Sequence, residues 1–182
     1  MKTLTLFASS LLLGCMALAQ EGAPQMPDMT PPKELAKMHP LIGTWKGKEK
    51  HFEPGNNTPI EVDSTIVNTL ALGGHFIRGD YKTSIPGMGE FSGMQMISFD
   101  PATKKYVIYW FDSMSNTALR GESSSTGPAF VFVSDPVDMP GMGKTKMRIT
   151  TTTTSATTFT MTVEMQMGDQ WHKFIDGSYT KQ

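Results

Sequence analysis

"LIGTWKGKEKH", residues 41–51, decides how the rest of the chain is read. Lys46, Lys48 and Lys50 recur at period two, so in an extended segment they share one face. Trp45, Gly47, Glu49 and His51 share the other. Three lysines mark the solvent side, so the tryptophan side is predicted to face inward, although it carries a carboxylate and an imidazole. The stretch therefore predicts a first strand opening at Gly43, with an interior that is not purely apolar.

Downstream the same period recurs, and no convincing 3.6-residue apolar period appears. Only "KELAKMH" (33–39) could form one or two helical turns. Ten short β-rich runs are predicted, near 43–52, 60–70, 74–83, 90–99, 104–112, 117–124, 129–135, 144–152, 157–167 and 170–181. Turn chemistry separates them. Pro54-Gly55-Asn56-Asn57 and Gly73-Gly74 supply unusual φ values. Asp100-Pro101-Ala102-Thr103 fits a type I turn. Gly168-Asp169 reads as a two-residue hairpin loop. Phe159, Met161, Val163, Met165 and Met167 alternate with polar residues, as do Trp171, Lys173, Ile175, Gly177 and Tyr179. "KYVIYWF" (105–111) is apolar on both faces, as a strand covered on both sides would be, and the N-terminal helical turn is a candidate cover. Evenly spaced strands of this number predict an all-β, ten-stranded antiparallel up-and-down barrel, since closure removes exposed edges.

Residues 1–19 read as a secretory signal peptide: Lys2, an apolar run, then Ala17-Leu18-Ala19. Leu12-Leu13-Gly14-Cys15 also has the form of a lipobox, the alternative being a lipid on Cys15. Residues 20–33 form a Pro-rich linker, and 34–182 the barrel domain. The expected product is exported, periplasmic or secreted, with no transmembrane span in the mature chain. Cys15 is the sole cysteine, so no disulfide braces the domain and its core must hold it. Lys and Arg total 16 against 17 Asp and Glu, with no basic stripe, which argues against nucleic acid as a partner.

A helical turn followed by Gly-x-Trp and a ten-strand run resembles the lipocalin and fatty-acid-binding superfamily, the calycins. That resemblance implies that Trp45 plugs the closed end of the barrel, with a basic side chain, Lys181 or Lys173, across its indole. "LGGHFIRGDY" (72–81), "SFDPATKKYVIYWFDSMS" (98–115) and "GSYTK" (177–181) resemble the DUF1579 family of uncharacterised bacterial proteins. Its members carry L-G-G-x-F, Y/F-D-x-x-x-K-K-Y and W-x-D-S-M-S in this order after G-T-W-x-G. This chain departs at His75, where many members have arginine. The resemblance implies a lipocalin-like barrel and no established function.

"GMGKT" (141–145) ends like a phosphate-binding loop, but Asp138 stands where the first glycine belongs, so it reads as a hairpin loop. No G-x-S-x-G elbow, H-E-x-x-H or cysteine pair is present, so no catalytic residue is named. The four histidines, His39, His51, His75 and His172, are not spaced as a metal pair. His51, His75 and His172 are the strand candidates for a haem ligand, weighed against simple hydration at a rim. Methionine is abundant, 15 in 182 residues. Thioethers suit Cu(I), and Met88, Met139 and Met142 lie in loops, but Met161, Met165 and Met167 read as core filler.

The expected function is non-catalytic binding of a small, mostly apolar molecule in the barrel lumen, with no cofactor assigned. Trp45 closes the floor, Tyr81, Trp110 and the inward Met and Phe residues line the walls, and Glu49, His51, Asp112 and Arg120 supply polar contacts. The alternatives are a filled barrel acting as a structural or interaction module of the envelope, and a metal- or haem-binding protein.

Overall fold

The computed structural model describes residues 28–53, 58–125, 127–139 and 143–182. The expected leader, Cys15 and the Pro54–Asn57 turn lie outside these. A 3-10 helix, Lys33–Leu41, leads into twelve strands: β1 Gly43–His51, β2 Ile60–Ala71, β3 Phe76–Ile85, β4 Gly89–Asp100, β5 Lys105–Asp112 and β6 Leu119–Ser123. They continue as β7 Ala129–Ser134, β8 Val137–Met139, β9 Gly143–Thr145, β10 Met147–Thr153, β11 Thr158–Met167 and β12 Gln170–Lys181. Ten of them close a barrel in the order β1-β12-β11-β10-β7-β6-β5-β4-β3-β2, with every pair antiparallel. The up-and-down barrel expected from the turn spacing is therefore present.

The run expected at 144–152 is divided. β8 and β9 form a separate two-stranded hairpin inserted between β7 and β10. The Thr145 hydroxyl ties it to the Gln166 carbonyl, and the Met147 amide donates to Ser134 Oγ at 2.8 Å. Since strands alternate in direction, this hairpin, the Met88 turn, the β5–β6 loop and the β11–β12 turn all lie at one end, called here the mouth. The 3-10 helix lies at the other end, the floor.

The helix does not cover the outer face of β5, as its apolar composition suggested. It sends Leu35, Met38 and Leu41 into the barrel core, and Tyr106 donates to the Glu34 carbonyl at 2.8 Å. On the outer wall of β5, Tyr109 is 37% and Phe111 41% exposed. The floor closes on Trp45, fully buried, whose indole donates to the Leu41 carbonyl at 2.8 Å. Asn68 donates to the same carbonyl at 2.9 Å. Phe159 meets the indole edge-on at 4.8 Å, and Lys181 places its ammonium 5.3 Å from the ring centroid.

The two glycines around Trp45 now have a physical reason. Gly43 has φ +129, a left-handed conformation that favours glycine, and a Cβ there would sit 2.8 Å from Lys181 Cε. At Gly47 a Cβ would meet Ser64 Oγ at 2.2 Å and the Tyr179 ring at 2.5 Å. The first glycine admits the cation to the indole, and the second admits Tyr179 to the barrel axis.

One alternation breaks. Val163 faces Ile175, but Glu164 faces Lys173, so a bulge in β12 takes up one residue and reverses the phase beyond it. Trp171 consequently lies on the outer wall, with the Arg148 guanidinium 4.5 Å over its ring and Arg148 paired to Glu164 at 2.6 Å. Lys173 is exposed and bonds Asp176 at 2.7 Å. Neither lines the interior with Ile175 and Tyr179, as simple alternation predicted, and Lys181 rather than Lys173 reaches Trp45.

Candidate functional site

The alternation in β1 that exposes its lysines buries Glu49 to 2% exposure. An isolated carboxylate so placed would be expensive. Four donors, three from β2, β3 and β12 and one from β1 itself, offset that cost. Oε1 accepts from the Ser64 hydroxyl and from the Tyr179 hydroxyl at 2.6 Å. Oε2 accepts from the Tyr81 hydroxyl at 2.8 Å and from His51 Nε2 at 2.7 Å. Burial alone would raise the Glu49 pKa, but the bonds from His51, Ser64, Tyr179 and Tyr81 together outweigh it and hold the carboxyl below its ordinary 4.5. Burial first, then the Glu49 charge, pushes both phenols above their ordinary 10.0. The cluster is thus a carboxylate held by three hydroxyls and one imidazole.

Because a carboxylate only accepts, the His51 proton sits on Nε2. Among the described residues the other ring nitrogen, Nδ1, has no hydrogen-bond partner, and no buried side-chain N or O lacks one. His51 is 8% exposed, and the orientation of its ring is fixed by Glu49.

Toward the mouth the interior becomes aromatic and less tightly sealed. Tyr81 meets Phe91 at 5.9 Å and Trp110 at 6.0 Å, both edge-on. Trp110 donates to Asp112 Oδ2 at 3.0 Å, and the Met114 amide donates to Asp112 Oδ1 at 2.9 Å. The Trp110 ring lies against Gly93, where a Cβ would be 2.2 Å from Cζ2. Phe91, Trp110, Ile149 and Met161 pack on the core but remain only half-buried.

The sequence-named residues divide cleanly. Glu49, His51, Tyr81, Trp110 and Asp112 all lie on the inner wall above the floor, with Trp45 beneath them. Arg120 is on the outer wall, bonded to Glu122 at 2.6 Å and Asp135 at 3.2 Å, so it does not share their space. Ser64 and Tyr179 were not singled out as site residues, and Phe91 and Met161 were covered only by the general expectation that inward Met and Phe line the walls. Tyr179 and Met161 carried an inward signal by alternation, but nothing local marked Ser64 or Phe91.

Other constellations fare differently. Met88 and Met114 are 60% and 65% exposed in the mouth loops, and Met139 is half-buried in β8; Met165 is buried at 3% as core filler, but Met167, expected to be the same, is 39% exposed, and Met142 lies outside the described residues. Among the described residues no group of three or more His, Cys, Asp or Glu is placed to hold a metal ion. A trough on the outer wall of β12, β1 and β2 is lined by alternating charges, of which Lys48 and Asp63 pair at 2.6 Å. Self-paired exposed charges of this kind form a solvated wall. Among the described residues no helix is long and apolar enough to cross a membrane.

Residues 30–181, which include the whole Glu49 cluster and the barrel around it, match the family described as "Protein of unknown function (DUF1579)". The chain belongs to the DUF1579 family. This DUF1579 barrel is similar to the crystal structure of Rv2717c from M. tuberculosis, with a TM-score of 0.58 and 14% identity over 84% of this chain and 99% of that chain. At that identity the likeness speaks for the fold alone. No curated protein matches the DUF1579 chain.

Proposed function

We propose that this protein is an exported, non-catalytic barrel that binds a small, mostly apolar molecule just inside its mouth. One observation carries the reading. Inner-wall side chains at the floor are sealed apart from the half-buried Phe99, whereas higher up Phe91, Trp110, Ile149 and Met161 face inward and are still half-buried. Apolar walls left partly open, with a few fixed polar groups, are the composition of a ligand site. Tyr179 fills the space beside Gly47, so the interior is closed from Trp45 up to Glu49. The ligand is therefore shallow: it rests on the Glu49 cluster, with Trp110 and Phe91 beside it and His51 Nδ1 and Asp112 as its polar contacts.

The test is the mass of the protein isolated from its own host, under native and then denaturing conditions. A discrete organic mass lost on denaturation supports the reading, and Trp110→Ala should abolish it. A protein that carries no such mass and whose Trp110 fluorescence no alkyl amphiphile perturbs would sink it.

A filled barrel that works through its surface is favoured by a different observation. On the outer wall Phe111 lies across from Met94 and Tyr109 across from Met96, forming an apolar patch on β4 and β5. In that case Phe111→Ser, and not Trp110→Ala, would change the protein's behaviour.

A further inference from the structure

The charges on the barrel strands are sorted by wall. Among the described residues, the lysines and arginines of the ten barrel strands lie on the outer face, with one exception. Lys46, Lys48 and Lys50 are exposed, and Arg78, Arg120 and Arg148 pair with carboxylates of that face. The exception is Lys181, on the floor side of Trp45 and separated from the mouth by the sealed core.

Two carboxylates point the other way. Glu49 sits beneath the mouth, and Asp112 shares the inner phase of Ile108 and Trp110 at its rim. Three of the four donors on Glu49, the hydroxyls of Ser64, Tyr81 and Tyr179, satisfy its hydrogen bonding without bringing a positive charge to it. All four of its lone-pair directions are used, so a ligand meets its field rather than its oxygens. The group it does meet is His51 Nδ1, which in the neutral ring offers a lone pair.

Resting on the site proposed above, we propose that the ligand is a neutral or cationic amphiphile whose head carries an N–H or O–H donor, and that carboxylates such as fatty acids are rejected. A carboxylate head would enter a mouth whose inner barrel wall faces it with two carboxylates and no lysine or arginine, the mouth-end Lys144 and Lys146 belonging to the β8–β9 hairpin and its link to β10 rather than to that wall. It would also present no donor to Nδ1. An ammonium or hydroxyl head satisfies both demands.

The experiment is calorimetric titration of the folded protein with decylammonium, decanol and decanoate, below their aggregation thresholds. The chains match, so only the head differs. Decylammonium should bind about tenfold or more tightly than decanoate, the scale of a unit charge felt across several ångströms of partly wet protein, with decanol between. Asp112→Asn, which retains an acceptor for the Trp110 indole, should narrow the gap between the two ions. Decanoate binding as tightly as decylammonium would overturn the charge selection while leaving the site itself standing. Failure of all three to bind, with the fold intact by circular dichroism, would overturn the site and this inference together.

Discussion

The Tyr179 hydroxyl, on the last strand, donates to the Glu49 carboxylate, on the first, at 2.6 Å across the seam that closes the barrel. The two residues are 130 positions apart in sequence. Tyr179→Phe would leave one buried acceptor site unfilled without creating a cavity. A loss of about 1–3 kcal/mol is expected, measured as a lower urea midpoint with an unchanged slope. Tyr81→Phe should behave alike, and the double variant should deviate from additivity, because both phenols serve one carboxylate.

Acid stability should depend on Glu49. Its folded pKa lies below the ordinary 4.5, so it contributes stability that is fully present above the unfolded value. That contribution is lost as pH falls through the lower, folded value. Glu49→Gln should therefore flatten the stability curve on the acid side of 4.5. At neutral pH the same variant should cost about 2–4 kcal/mol, because its amide would point donors at donors in a sealed site. Chemical denaturation at a series of pH values checks both, and an acid limb as steep as the parent's would contradict the assignment.

At the floor, burial should dominate over the cation. Trp45→Ala removes a fully buried indole and should cost about 3–5 kcal/mol. Lys181→Met removes only the ammonium over the ring and should cost under about 1 kcal/mol. Thermal melts of the two variants separate the terms.

The mouth can be disturbed without touching the core. Gly93→Ala would place a methyl into the Trp110 ring, 2.2 Å from Cζ2. The indole must then swing away from β4. The expected readout is a changed Trp110 emission and at least about tenfold weaker amphiphile binding, the cost of roughly 1.4 kcal/mol of lost contact, with the melting temperature little altered. Unchanged emission would mean that the ring is not held against Gly93.

Strand content, strand direction and much of the inner wall were legible in the sequence, because they are local. Period-two alternation assigns faces wherever one face carries an unambiguous marker, as Lys46, Lys48 and Lys50 do for β1. That is why Glu49 and His51 were placed inward correctly. It fails where one residue is inserted without a local signal: the β12 bulge moved Trp171 and Lys173 to unexpected sides. It also fails in β6, where the short "LRGES" carries no marker of phase and Arg120 turned outward. The apolar outer face of β5 suggested a cover, yet the helix nearest in composition had a better place to bury its leucines at the floor.

The sequence by itself determined that this is a ten-stranded antiparallel barrel with an inward tryptophan and an inward glutamate–histidine pair, because backbone pleat and turn chemistry are properties of neighbouring residues. Only the tertiary structure decided what surrounds that pair. The partners of Glu49 come from β2, β3 and β12, and their height along the axis is fixed by the stagger with which the sheet closes on itself. That stagger is a property of the whole ring of strands, so no single stretch encodes it.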